Sequence, residues 1–233
     1  MSRGRSRLLW ILLFLVLLTA GGFGFFTYQV QQVPQFYQQA IASSPQEQVQ
    51  AGENFETEAL ELQNQIQRTG DWRFELAADE INGWLATVLP EKFAGSLPPE
   101  VSDPRVAIEP NRLLAACKYK TVGIETVVSI ELEAFLTEEP NVVAIRIHQV
   151  AAGRLPIPLK QYLDQITAEA TQRGILIRWQ ELDGDPLALV SLPLAEPGDK
   201  RAIVLRSLEL TPGTLIATGT AEEVQPPARP ARQ

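Results

Sequence analysis

Leu8 to Phe26 reads LLWILLFLVLLTAGGFGFF, nineteen residues without a charge, and this run constrains everything that follows it. At 1.5 Å per residue a helix of that length crosses a bilayer's roughly 30 Å apolar core with little tilt. Arg3, Arg5 and Arg7 stand just before the run, and the first charge after it is Glu47. That asymmetry keeps the basic end in the cytoplasm. The expectation is one transmembrane helix, N-terminus cytoplasmic, with everything from about Tyr28 outside. The competing reading is a cleaved signal peptide, because Leu8 to Leu18 alone suits an apolar leader core and Thr19-Ala20-Gly21-Gly22 supplies small residues. Apolar residues continue through Phe23, Phe25 and Phe26, and Tyr28 suits the interface, which favours a retained anchor.

Charge narrows the partners. The formal net charge is −8, and the three arginines of residues 1–30 contribute +3, which leaves −11 on residues 31–233. Such a domain is a poor electrostatic match for nucleic acid or anionic headgroups. Cys117 is the single cysteine, so no intrachain disulfide forms despite the oxidising compartment expected. His148 is the single histidine, so no site built on two imidazoles exists. Neither cofactor nor metal is expected. Stability has to come from burial, for which 45% apolar composition suffices.

The segment following the run is rich in glutamine. Ser44-Pro45-Gln46-Glu47 then has the pattern of a capped helix start, and Phe55, Ala59, Leu62 and Ile66 recur at helical spacing toward Gly70. A helix is expected from about 45 to 69, either a stalk coil or, preferably, packed on its own domain. Trp72, Phe74 and Leu76 alternate as in a half-buried strand. A second helix begins at Ala78 or Asp79, carries Ile81, Trp84, Leu85, Val88 and Leu89 on one face, and ends at Pro90. Asn82 lies at the margin of that face, and an amide bonded to nearby sheet backbone is preferred to a ligand contact. Residues 91–104, with Gly95, Pro98, Pro99 and Pro104 following Pro90, read as a loop.

Strands are expected at Val106–Glu109 and Leu113–Tyr119 around Pro110-Asn111, then on a long strand with Val128, Ile130, Leu132, Ala134 and Leu136 inward. Glu125, Glu131 and Glu133 fall on its wet face without an evident basic partner. Val143, Ile145 and Ile147 form the return strand, with Arg146 and His148 opposite and no catalytic group placed by motif beside the imidazole. In Gly153-Arg154-Leu155-Pro156-Ile157-Pro158-Leu159 the two prolines forbid regular pairing and deliver Leu155 and Ile157 to a fixed place. A helix with Leu159, Tyr162, Leu163, Ile166 and Ala170 on one face ends at Gly174. Asp183-Gly184-Asp185-Pro186 has too few carboxylates for a calcium loop and reads as a hairpin turn. Further strands run to Thr220. The order strand, helix, four strands, helix, four strands hints at a duplicated helix-plus-meander unit.

Ala78-Asp79-Glu80-Ile81-Asn82-Gly83-Trp84-Leu85 and the Gly153 to Leu163 step resemble the YpmS-like family of membrane-anchored extracytoplasmic proteins. The resemblance follows the order of elements over most of residues 1 to 195. It implies an N-terminal span followed by an extracytoplasmic domain, and it carries over no catalytic residue.

The organisation expected is a cytoplasmic end and anchor at 1–30, a glutamine-rich juxtamembrane stretch and amphipathic helix at 31–70, an extracytoplasmic domain at 71–222 and a disordered tail at 223–233. The domain should be α+β, a large curved antiparallel sheet packed on two amphipathic helices. Its expected role is binding rather than catalysis: a membrane-anchored module holding a lipid or other apolar ligand between helices and sheet, with Trp84, Leu85, Leu155, Ile157, Tyr162 and Leu163 lining the site. The alternative is an envelope scaffold or protein–protein interaction domain with those residues filling the core.

Overall fold

The computed structural model describes residues 29–192 and 201–223; the expected membrane span, residues 193–200 and the expected C-terminal tail lie outside them. The fold is α+β with a large antiparallel sheet. In chain order it contains α1 (Gln35–Ala40), α2 (Pro45–Ile66), β1 (Gly70–Ala77), α3 (Ala78–Lys92), β2 (Val101–Glu109), β3 (Arg112–Thr121), β4 (Ile124–Leu136), β5 (Val142–Ala152) and β6 (Leu155–Pro156). A 3₁₀ turn at Leu159–Tyr162 leads to α4 (Leu163–Gln172), β7 (Leu176–Leu182), β8 (Asp185–Ser191), β9 (Arg201–Thr211) and β10 (Thr214–Glu223). Among the described residues no helix is long and apolar enough to cross a membrane.

The order of elements matches the sequence pattern, but the sheets divide differently. One seven-stranded sheet has the order β2-β3-β4-β5-β8-β7, with β6 on β5; a separate three-stranded sheet has the order β1-β10-β9. The four strands after α4 are therefore split between two sheets, and no repeated meander exists. β1 is joined to β10, nearly 140 residues later, through the register Gly70↔Ala221 to Ala77↔Thr214. Trp72, Val143, Ile203, Leu205, Ala217 and Ala221 form the core between the sheets, and Leu62 and Ile66 of α2 pack against it. Trp72 stands opposite Gly219, where a Cβ would run into its indole ring. Glycine at that position lets the aromatic lie flat on the backbone of the neighbouring strand.

Helix boundaries follow local chemistry. Ser44 caps α2 by accepting from the Glu47 amide, and Glu47 accepts from the Ser44 amide in return. α2 stops at Ile66, earlier than expected, and Gly70 opens β1 instead. α3 continues through Pro90 to Lys92. A proline this near the end removes one backbone bond, yet the following turn still closes through the Phe93 amide on the Leu89 carbonyl. α4 ends in a left-handed Gly174, the Ile175 amide reaching back to Ala170 and the Gly174 amide to Thr171.

The proline step also differs from expectation. Leu155–Pro156 does pair with Ala151–Ala152, and the Ile157 amide donates to the Val150 carbonyl over 2.8 Å. Pairing is possible because β6 is a two-residue edge piece, where the missing proline N–H removes no necessary ladder bond.

Two asparagines join elements that the chain places far apart. Asn82 donates from Nδ2 to the Val106 carbonyl (2.9 Å) and accepts the Val106 amide on Oδ1 (2.7 Å), tying α3 to edge strand β2. Asn141, in the β4–β5 turn with φ 59°, makes the equivalent pair with the Ile203 carbonyl (2.7 Å) and Leu205 amide (2.9 Å) of β9. Each satisfies one backbone donor and one acceptor where a sheet edge would otherwise leave them orphaned.

Candidate functional site

α3 leaves the Asn82–Val106 bond and runs alongside β2 toward the start of that strand, so its second half and residues 93–104 form two walls. Between them lies an open cleft of about 640 Å³, walled chiefly by Leu85, Leu89, Phe93, Leu97 and Val101, with prolines 90, 98, 99 and 104 stiffening the rim. Its volume falls within the usual range of small-ligand sites, roughly 300–1,000 Å³. Phe93 is 51% exposed, which is unusual for a large aromatic on a folded wall.

The polar side of the cleft is Asp103. Its carboxylate is held by Arg105 at 2.6 Å and Lys118 at 2.9 Å, while its carbonyl accepts the Tyr37 hydroxyl at 2.8 Å. Arg105 is buried and also donates to the Pro104 carbonyl. Tyr37 is 1% exposed, and burial, reinforced by the Asp103 charge, pushes its phenol well above the ordinary tyrosine range. The glutamine-rich stretch is thus not a free stalk. Tyr37 is buried with Ala116 and Val127 in a small core of its own and fixes α1 against the end of the sheet.

Of the six residues expected to line a site, Leu85 is on the walls of this cleft and the other five are not. Trp84 is stacked between Phe55 of α2 (5.2 Å between ring centroids) and Phe93 (5.7 Å), and so supports one wall from behind. Leu155 and Ile157 are half-buried beside β5, Leu163 begins α4, and Tyr162 is 42% exposed. None of these four reaches the cleft, because α4 packs at the β7 end of the sheet, where Trp179 donates from Nε1 to Thr167 (2.8 Å). The sequence pattern hides Phe93, Leu97 and Val101 because punctuation by proline and glycine marks 91–104 as a loop, whereas α3 runs on to Lys92 and β2 already begins at Val101. The signal available was the apolar content of that loop, which a solvated connection does not need.

His148 has partners that the sequence pattern did not place. The β4–β5 register passes from Glu131↔Gln149 to Leu132↔Ile147, so His148 is the extra residue of a bulge. Its ring lies between Asp185 on Nδ1 (3.1 Å) and Glu133 on Nε2 (3.3 Å), and Arg146 bonds Asp185 through Nε at 2.8 Å and Asp183 at 3.2 Å. The Arg146 hydrogen bond holds the Asp185 carboxyl below its ordinary range. Glu131 and Glu125 likewise have basic partners, Arg112 and Lys120. The wet face of β4 is therefore a laced ion-pair network rather than bare carboxylates. Both ring nitrogens of His148 are engaged by carboxylates, which leaves neither for relaying a proton to a substrate. Half-buried Cys117 has its thiol pushed upward by burial, the opposite of an activated nucleophile. Among the described residues no cluster of histidine, cysteine and acids could hold a metal.

Comparison with known proteins finds no matching family model, no matching curated protein and no matching solved structure.

Proposed function

We propose that this chain is a single-pass envelope protein, related to the YpmS-like family it resembles, whose extracytoplasmic domain binds an acyl chain or comparable apolar ligand in the cleft between α3 and residues 93–104. The observation that carries the reading is the cleft itself, about 640 Å³ with Leu85, Leu89, Phe93, Leu97 and Val101 on its walls. Apolar burial is worth about 0.8 kcal/mol per CH₂, so affinity should rise with chain length. With −11 on residues 31–233, recognition of an anionic head would work against the domain's own field. The uncharged run at 8–26 behind Arg3, Arg5 and Arg7 supplies the anchor and the orientation.

The second reading, an envelope scaffold, is favoured by one observation: half-buried Trp84 packs between the tilted rings of Phe55 and Phe93 and does not line the cleft. The two separate in a photo-crosslinking experiment. The full chain is reconstituted in phosphatidylcholine vesicles containing a lipid with a diazirine near its acyl terminus. Binding in the cleft puts adducts on peptides within 85–101, and Leu89→Trp, which fills the cleft, removes them. Adducts confined to residues 8–26 would establish the scaffold reading instead.

A further inference from the structure

We propose that the end of the large sheet bearing the β3–β4 turn, Gly153–Arg154 and Gln29 is a membrane-contact surface, which seats Val122 in the bilayer interface and turns the cleft toward the same bilayer. The inference rests on the anchor proposed above and is independent of what the cleft holds.

The argument begins with where the chain enters the domain. The Gln29 carbonyl accepts the Arg154 amide at 3.0 Å, and the Val30 carbonyl accepts the Thr126 hydroxyl at 2.6 Å. Gly153, at φ 58°, packs so tightly that a Cβ there would overlap both carbonyls. Gln29 is only three residues beyond Phe26, the end of the uncharged run. Even a fully extended chain spans at most about 11 Å over that interval. No flexible tether separates the clamp from the membrane, so this end of the sheet must lie at the headgroup layer once the run is inserted.

The surface found there suits that position. Thr126 lies three residues from Gly123 at the β3–β4 turn, so the tip extends about 10 Å further along the strand. Val122 occupies the tip and is 100% exposed. Seated at a bilayer interface, that aliphatic side chain would leave water, which the turn itself does not allow it to do within the fold. Tyr119 and the exposed Lys120 and Arg154 flank it. An aromatic with a polar end and long cationic side chains are the groups that settle at a membrane interface, stems inward and heads in the headgroup layer.

The cleft belongs to the same end. Val101, one of its lining residues, pairs with Tyr119, and the Glu100 carbonyl accepts the Lys120 amide at 2.8 Å. A ligand drawn from the bilayer would have little water to cross. Because the contact is apolar and the domain acidic, zwitterionic vesicles are the appropriate surface and salt should change it little.

The test uses the full chain carrying Cys117→Ser, reconstituted in phosphatidylcholine vesicles, with a nitroxide attached at one of three single cysteines. These are Val122→Cys at the tip, Glu138→Cys in the β4–β5 turn at the opposite end of the sheet, and Leu12→Cys within the uncharged run. Power-saturation measurements compare collisions with oxygen, which concentrates in lipid, against a water-soluble nickel chelate. The expected result is a several-fold higher oxygen-to-nickel ratio at 122 than at 138, with 12 higher still. A ratio at 122 equal to that at 138, with 12 in lipid, would overturn this inference and leave the anchor standing. A water-like ratio at 12 would overturn the anchor, and the seated tip with it. Val122 is fully exposed, so the label does not endanger folding.

Discussion

Gly83 meets Gly52 where α3 crosses α2, so closely that a Cβ on Gly83 would stand 2.5 Å from the Gly52 nitrogen and 2.6 Å from the Ala51 Cβ. The two glycines bring the helix backbones together, and on this contact depend the stacking of Trp84 on Phe55 and hence the near wall of the cleft.

Gly83→Ala should therefore destabilise the domain, although alanine is the better helix former by about 1 kcal/mol. The clashing atoms include backbone, which cannot rotate away, and overpacking of that kind costs about 1–3 kcal/mol. A lowered denaturation midpoint is the expected outcome. An unchanged or raised one would mean that the helices separate without penalty.

Asn82→Ala leaves the Val106 amide and carbonyl without their partners in a largely buried setting. The expected loss is about 1–3 kcal/mol. Hydrogen exchange gives the local reading: the Val106 amide should lose protection more than amides in β4. Equal protection in both proteins would show that water replaces the side chain.

Gly153→Ala combines a strained left-handed position with overlap on the Gln29 and Val30 carbonyls. The N-terminal stretch should come off the sheet. Limited proteolysis would reveal it as accelerated cleavage between Gln29 and Pro34, with the β-strands still resistant. No change in cleavage would show the clamp to be dispensable.

Acid should weaken the ion-pair network across β4, β5 and β8. Asp185 has a folded value below its unfolded one, because Arg146 bonds the charged form. Its contribution is therefore complete above the ordinary carboxylate pKa, about 3.9, and is lost as the pH falls through the folded value. The stability difference between the wild type and Asp185→Asn should be constant near neutrality and narrow below about pH 4. A gap unchanged down to pH 2 would exclude this origin.

Much of the local structure was legible in the sequence because its causes are local. The Ser44–Glu47 cap, the Gly174 stop, the turns at Asn111, Asn141 and Asp183-Gly184, and the alternation of Trp72, Phe74 and Leu76 each depend on a few neighbouring residues. Even the preference for a backbone-bonded Asn82 follows from the general cost of a buried unpaired amide. What only the tertiary structure decided is partnership. Periodicity tells which face of a strand is buried but not which strand lies beside it, so the union of β1 with β10 and the division into two sheets had no local signature. For the same reason His148 showed no carboxylates in sequence: Glu133 and Asp185 reach it from two other strands, and the bulge that aims its ring exists only in the pairing. The cleft was hidden most completely, because its far wall is a proline-rich connection that becomes a surface only when Asn82 and the Gly52–Gly83 contact hold α3 against it.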